Sequence, residues 1–128
     1  MKLTHMEAVK VLIVDDEPNI RDLLSTSLRF AGFSVHAVAN GADAVHAAEK
    51  GEPDIILLDI IMPKMDGFAA LKKLKKNAAT KNIPVILLTN LGQEEDIQKG
   101  KELGAIDYFI KANHTPQEVV DKVKSVLS

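Results

Sequence analysis

The sequence predicts an α/β fold, with helices covering both faces of a parallel sheet in a three-layer sandwich. Three observations carry that expectation. The runs Val11–Val14, Ile55–Leu58, Val85–Leu88 and Tyr108–Ile110 are short and almost wholly apolar, as strands buried on both faces are. Amphipathic stretches at helical spacing separate them, so strands and helices alternate. Each run also stops at a polar residue: Asp15-Asp16, Asp59, Thr89 and Lys111, respectively. Strands of a parallel sheet all present their carboxyl ends to one edge, where ligands bind. Three carboxylates, a hydroxyl and an ammonium should therefore meet there.

The elements follow in order. After Asp16, Pro18 suits a first helical turn, and Ile20, Leu23, Leu24 and Leu28 recur at helical spacing until Gly32. Ser34 to Val38 is the second strand. Asn40 can cap a helix that carries Val45 and ends by Gly51. Past Asp59 the loop Met62-Pro63-Lys64-Met65-Asp66-Gly67 leads into a helix with Phe68, Leu71 and Leu74 inward. The basic run Lys72, Lys73, Lys75 and Lys76 reads as that helix's solvated face. A fourth helix is expected from about Gln93 to Leu103, stopping at Gly104. The last begins at Thr115-Pro116-Gln117-Glu118, a capping box with Pro at its first position, and carries Val119, Val120, Val123, Val126 and Leu127.

Composition narrows the function classes. With 128 residues the chain is one domain, read as a leader over 1–8 followed by a folded unit over 9–128. Met6 is a candidate native start. The absence of cysteine excludes disulfides, thiolate metal sites and a cysteine nucleophile. A net charge of −2 gives no reason to expect direct nucleic-acid binding or an anionic membrane surface. No apolar run approaches a membrane span and no signal peptide is evident, so the expected compartment is the cytoplasm. The histidines His5, His36, His46 and His114 show no ligand spacing and read as surface or satisfied residues.

The strand-end residues suit one chemistry. A carboxylate can act as nucleophile and take a phosphoryl group as an aspartyl phosphate. The obstacle is charge, because an anion must attack a phosphate dianion beside other carboxylates. Mg²⁺ meets that obstacle, since it takes a few carboxylate oxygens, keeps waters and bridges to phosphate oxygens. Asp15 and Asp16 can supply one direct ligand and one through water. Asp59 can supply another oxygen while its second attacks. Lys111 and Thr89 can neutralise and position the phosphoryl oxygens.

Taken together, Val14-Asp15-Asp16-Glu17, Asp59 with Met62–Gly67, Leu88-Thr89 and Tyr108-Phe109-Ile110-Lys111 resemble the receiver domain of two-component response regulators, the CheY-like family. The resemblance runs from Val9 to Leu127. It implies a flavodoxin-like (βα)5 sandwich with strand order 2-1-3-4-5. It implies Asp59 as phosphoacceptor, and Mg²⁺ held by Asp16, Asp59 and the backbone carbonyl of Ile61, with Asp15 helping through water. Thr89 and Lys111 would grip the phosphoryl oxygens, and Thr89 and Tyr108 would form a switch. The donor would be a sensor histidine kinase or phosphotransfer protein. A protein target or a second copy would dock on the fourth helix, fifth strand and fifth helix.

Some positions depart from that pattern. Most receivers follow the lysine with proline in a cis peptide, where this chain has Ala112. Asn90 stands where the family usually has a smaller residue. Ile61 and Gly92, two residues past Asp59 and Thr89, cannot orient a hydrolytic water, so with Asn90 they predict slow loss of the phosphoryl group. Two other function classes compete. A Mg²⁺-dependent phosphohydrolase of the haloacid-dehalogenase type would carry Asp-x-Asp on its first strand, where this chain has Asp15-Asp16-Glu17. A receiver acting as a phosphorylation-independent interaction module would not need Asp16, Asp59, Thr89 and Lys111 intact. The expected role is therefore signalling and not enzymatic turnover.

Overall fold

The computed structural model describes residues 8–90, 92–111 and 114–128. Five strands, β1 (Lys10–Val14), β2 (Ser34–Val38), β3 (Ile55–Leu58), β4 (Val85–Thr89) and β5 (Asp107–Ile110), alternate with five helices. The helices are α1 (Pro18–Phe30), α2 (Gly41–Gly51), α3 (Gly67–Lys76), α4 (Glu94–Glu102) and α5 (Pro116–Leu127). All strand pairs are parallel, in the order β2-β1-β3-β4-β5. That is the fold and strand order expected from the sequence.

The strand period of two divides the core cleanly. Leu12, Val14, Ile56, Leu58, Val85 and Leu87 face one side, against Ala44 and Ala48 of α2 and Phe68, Leu71 and Leu74 of α3. Val11, Ile13, Ile55, Leu57, Ile86 and Leu88 face the other, against Leu24 and Leu28 of α1 and Val119, Val120 and Val123 of α5. β1, β3 and β4 are buried on both faces. β2 and β5 are edge strands and only partly covered, which is why β2 reads less apolar than the central strands.

Local chemistry sets the helix ends. The side chains of Asn40, Asp66 and Thr115 each accept the backbone N–H three residues on, at Asp43, Ala69 and Glu118. The Thr115–Glu118 capping box forms in both directions. Two side chains lie away from their expected places. Leu23 is 51% exposed, because the inward stripe of α1 runs through Ile20, Leu24 and Leu28 and leaves it outside. Lys75 is not fully solvated, since its ammonium donates to the carbonyls of Lys81 (3.1 Å) and Ile83 (2.8 Å). Burial there pulls its pKa below the ordinary lysine value. The expected leader lies almost wholly outside the described residues, as do Ala112 and the geometry of the Lys111–Ala112 peptide.

Candidate functional site

The register places the strand-end residues at one edge. β1 ends at Val14 beside Leu58 of β3, so Asp15 and Asp59 follow as neighbours, and the Asp59 N–H donates to the Val14 carbonyl at 2.9 Å. Thr89, the last residue of β4, pairs with Ile110 of β5, and Lys111 comes next. Asp15 and Asp59 are buried at 1% and 4% exposure, and Thr89 is fully buried. Asp16 sits at the solvent-accessible rim.

One ammonium ties the two buried carboxylates together. Lys111 Nζ lies 2.5 Å from Asp15 Oδ2 and 3.2 Å from Asp59 Oδ2. Glu17 Oε1 approaches the same ammonium at 3.9 Å from the exposed side. The remaining oxygens are also engaged. Asp15 Oδ1 accepts the Glu17 N–H at 2.9 Å, and Asp59 Oδ1 accepts the Ile60 N–H at 2.8 Å. Burial pushes the Asp59 pKa up; Lys111 pulls the other way, and the neighbouring Asp15 charge adds to the rise. Burial pulls Lys111 down, but its hydrogen bond to Asp15 and the Asp59 charge outweigh that and leave it above the ordinary lysine value.

Asp15, Asp16 and Asp59 each bring one carboxylate oxygen within 4.8 Å of the others. That spacing lets one divalent cation draw oxygen ligands from all of them. With every group ionised, three carboxylates against one ammonium leave the cluster two charges negative, which suits such a cation. Oxygen donors without thiolate or imidazole favour a hard metal.

The other expected site residues take varied positions. Ile61 is 57% exposed beside the cluster, and Asn90 and Gly92 are exposed on the loop after β4. Tyr108 is half-buried against the α2/α3 core, and its ring carbons would meet a Cβ at Gly100 of α4 at 3.5 and 3.7 Å. Burial, then the charges of Asp96 and Asp59, push its pKa up to about 12, so the phenol stays protonated.

Sequence reasoning missed three supporting residues. Arg21 donates from Nη1 to the Asp15 carbonyl at 2.8 Å and pins the loop bearing the acidic pair. Gly67 lets α3 start directly against the backbone of Asp59 and Ile60, with its N–H donating to the Ile60 carbonyl at 2.7 Å. His114 stacks on Phe109. Gly67 carried a readable signal in the Asp66-Gly67 helix start; the other two depend on contacts that span the turns.

A parallel five-stranded sheet with an acidic cluster and a lysine at its carboxyl edge defines an α/β domain with a charged site at its strand ends. Residues 11–124 match the response regulator receiver domain family, and the chain belongs to it. It is 38% identical over 92% of its length to the "DNA-binding dual master transcriptional regulator RpaA" of Synechocystis sp., covering 48% of that protein. It is 40% identical, again over 92% of its length, to the "Probable transcriptional regulator ycf27" of Guillardia theta, covering 45% of it. Among solved structures, the chemotaxis protein CheY4 of Vibrio cholerae superposes with a TM-score of 0.88 at 33% identity, over 94% of this chain and 99% of that one.

The chain thus spans about half the length of the curated relatives it matches. This corrects the expectation of no direct nucleic-acid partner, because the Synechocystis relative is a DNA-binding regulator. The physical reason is plain: a net charge of −2 describes this segment's surface and carries no information about what the rest of such a protein contacts. Among the described residues no helix is long and apolar enough to cross a membrane.

Proposed function

We propose that this chain is a phosphoryl-accepting signalling switch, with Asp59 taking a phosphoryl group from a phosphohistidine of a sensor kinase or phosphotransfer protein. In that step an Asp59 oxygen forms the new bond to phosphorus, and the phosphorus–nitrogen bond breaks with its electron pair returning to the imidazole. The observation that carries this reading is the Lys111 ammonium lying between Asp15 and Asp59, 3.2 Å from the latter. Each carboxylate gives one oxygen to a backbone N–H, at 2.9 Å for Asp15 and 2.8 Å for Asp59, but Lys111 lies 2.5 Å from Asp15 and only 3.2 Å from Asp59. The looser contact to Asp59 favours it as the group that reacts. Lys111 is then in place to balance the charge of the incoming phosphoryl oxygens.

Mg²⁺ would be held at this oxygen cluster by Asp16, Asp59 and the Ile61 carbonyl, with Asp15 helping through water. When bound, it supplies neutralisation of the negative charge that accumulates at phosphoryl transfer. Thr89 and Tyr108 form the switch in this reading. Thr89 moves toward the phosphoryl group and Tyr108 turns into the space beside it, so phosphorylation selects between two packings of the same core. The DNA-binding relative supports transcription as the output of the whole protein.

Intact-mass measurement after incubation with acetyl phosphate and Mg²⁺ tests the reading. One phosphoryl group should appear on the native chain and none on Asp59→Asn, and Asp16→Ala should lose both Mg²⁺ binding and labelling. Stoichiometric labelling of Asp59→Asn would refute the assignment.

A further inference from the structure

Lys111 has four rotatable bonds between backbone and ammonium, so its charge is placed only as well as its backbone is. That backbone leaves β5 without a proline to stiffen it. Three residues on, His114 folds back over the end of the strand. Its ring stacks on Phe109 with centroids 4.3 Å apart and planes 6° from parallel. Its Nδ1 lies 2.9 Å from the Ile110 carbonyl oxygen, and its own N–H reaches the Lys111 carbonyl at 3.4 Å. A carbonyl only accepts, so Nδ1 carries the proton in this contact. Phe109 is itself fixed, being buried in the core between sheet and α5, with Lys122 of α5 5.7 Å from its ring centre. Immediately after His114 the Thr115–Glu118 capping box anchors the start of α5. His114 therefore grips Phe109 by its ring face, Ile110 by its ring nitrogen and Lys111 by its backbone.

We propose that His114 is a positioning residue for Lys111: its clasp on the end of β5 fixes the backbone from which the Lys111 ammonium spans Asp15 and Asp59. The consequence for phosphorylation rests on the phosphoacceptor reading above; the placement of the ammonium does not. The His114 ring acts at a distance, through the carbonyl and the aromatic platform on either side of the strand's last turn.

Three variants of the full chain separate the parts of the clasp. His114→Phe keeps the stack and loses the hydrogen bond. His114→Asn can place an amide donor near the Nδ1 position and loses the stack. His114→Ala loses both. The first measurement is the Lys111 ammonium signal in nitrogen–proton correlation spectra at fixed pH without metal, and the second is the initial rate of labelling by acetyl phosphate with Mg²⁺.

In His114→Ala the ammonium signal should broaden or vanish and labelling should slow roughly tenfold, within what a misplacement of about 1 Å produces. Phe and Asn should each restore part of both, which a merely destabilised loop would not show. Should the Ala variant fail to fold, the Phe and Asn variants carry the same comparison against the native chain. An unchanged ammonium signal, or rates that follow melting temperature alone across the three variants, would overturn the proposal. Loss of the ammonium signal in a chain that acetyl phosphate never labels would support the positioning and refute the phosphoacceptor reading.

Discussion

Replacing Gly67 with alanine should disturb stability and chemistry together. A Cβ there would lie 2.1 Å from the Asp59 carbonyl oxygen and 2.6 Å from Ile60 Cα, and both obstacles are backbone. Neither can swing aside as a side chain tip would. Reaching an ordinary contact of 3.4 Å from 2.1 Å requires α3 to retreat from β3 by 1.3 Å. That retreat would loosen Phe68, Ala70, Leu71 and Leu74, all buried against the sheet, and strain the Gly67 N–H bond to Ile60.

Overpacking of this kind costs about 1–3 kcal/mol, while the helix preference of alanine over glycine returns at most about 1 kcal/mol. Because both obstacles are backbone the upper end of that cost applies, and the net loss of about 2 kcal/mol corresponds to a melting temperature lower by roughly 8 °C in a domain of this size. If the strand end yields instead of the helix, Asp59 moves, and labelling by acetyl phosphate should slow beyond what the unfolded fraction explains. Gly51→Ala is the control, because among the described residues a Cβ there meets nothing within 4 Å. A Gly67→Ala chain that melts within about 2 °C of the native one and labels at its rate would refute the reasoning.

The buried Asp59 should be a net burden on folding at neutral pH. Its pKa is raised, so the folded state holds the proton more tightly than the unfolded one, and this group's contribution falls as pH rises from the ordinary Asp value through the folded one. Asp59→Asn should accordingly melt higher than the native chain at pH 7, and the gap should close toward pH 4; a lower melting temperature at pH 7 would contradict this. The lifetime of the phosphoryl group is the other expectation. The Ile61 side chain is aliphatic and Gly92 has none, so no side chain there can orient a water; self-dephosphorylation should be slow, and the double variant Ile61→Asn with Gly92→Glu should be faster. Room exists for the second change, since among the described residues a Cβ at Gly92 meets Ile110 alone, at 3.6 Å from Cδ1 and 4.0 Å from Cγ1; equal rates would sink the idea.

The parts of the fold legible in the sequence are those whose causes are local. Strands covered on both faces must be apolar throughout, so β1, β3 and β4 announce themselves within one residue of their ends. Caps need only a short-range bond, so Asn40 and Thr115 were readable as helix starts. The candidate site was legible because Asp15, Asp59 and Thr89 come at or just past the ends of these strands, and Lys111 just past the partly covered β5. What escaped depends on partners far along the chain or on one helical step. Leu23 and Leu24 are adjacent in sequence but about 100° apart around α1, and only the packing against the sheet decides which is inward. Lys75 finds its carbonyls only because the chain turns back through Lys81 and Ile83. His114 needs Phe109 across the turn, a pairing that residue spacing alone does not signal.

The same division explains how a globular core tolerates so much charge at its edge. Within each central strand the alternating residues fill two apolar layers, and the charged residues begin only where those layers end. Asp15 and Asp59 are thus buried by their neighbours' backbone and by Lys111, without displacing any core side chain. Lys111 can balance only one of the three carboxylates, and at Asp59 burial, with the Asp15 charge adding to it, keeps the pKa raised. In the proposed reading a phosphate dianion entering this site would deepen the imbalance, and a divalent cation bound at the cluster would offset it. Arg21 donates to the Asp15 carbonyl, 2.8 Å away, and so holds the loop by its backbone.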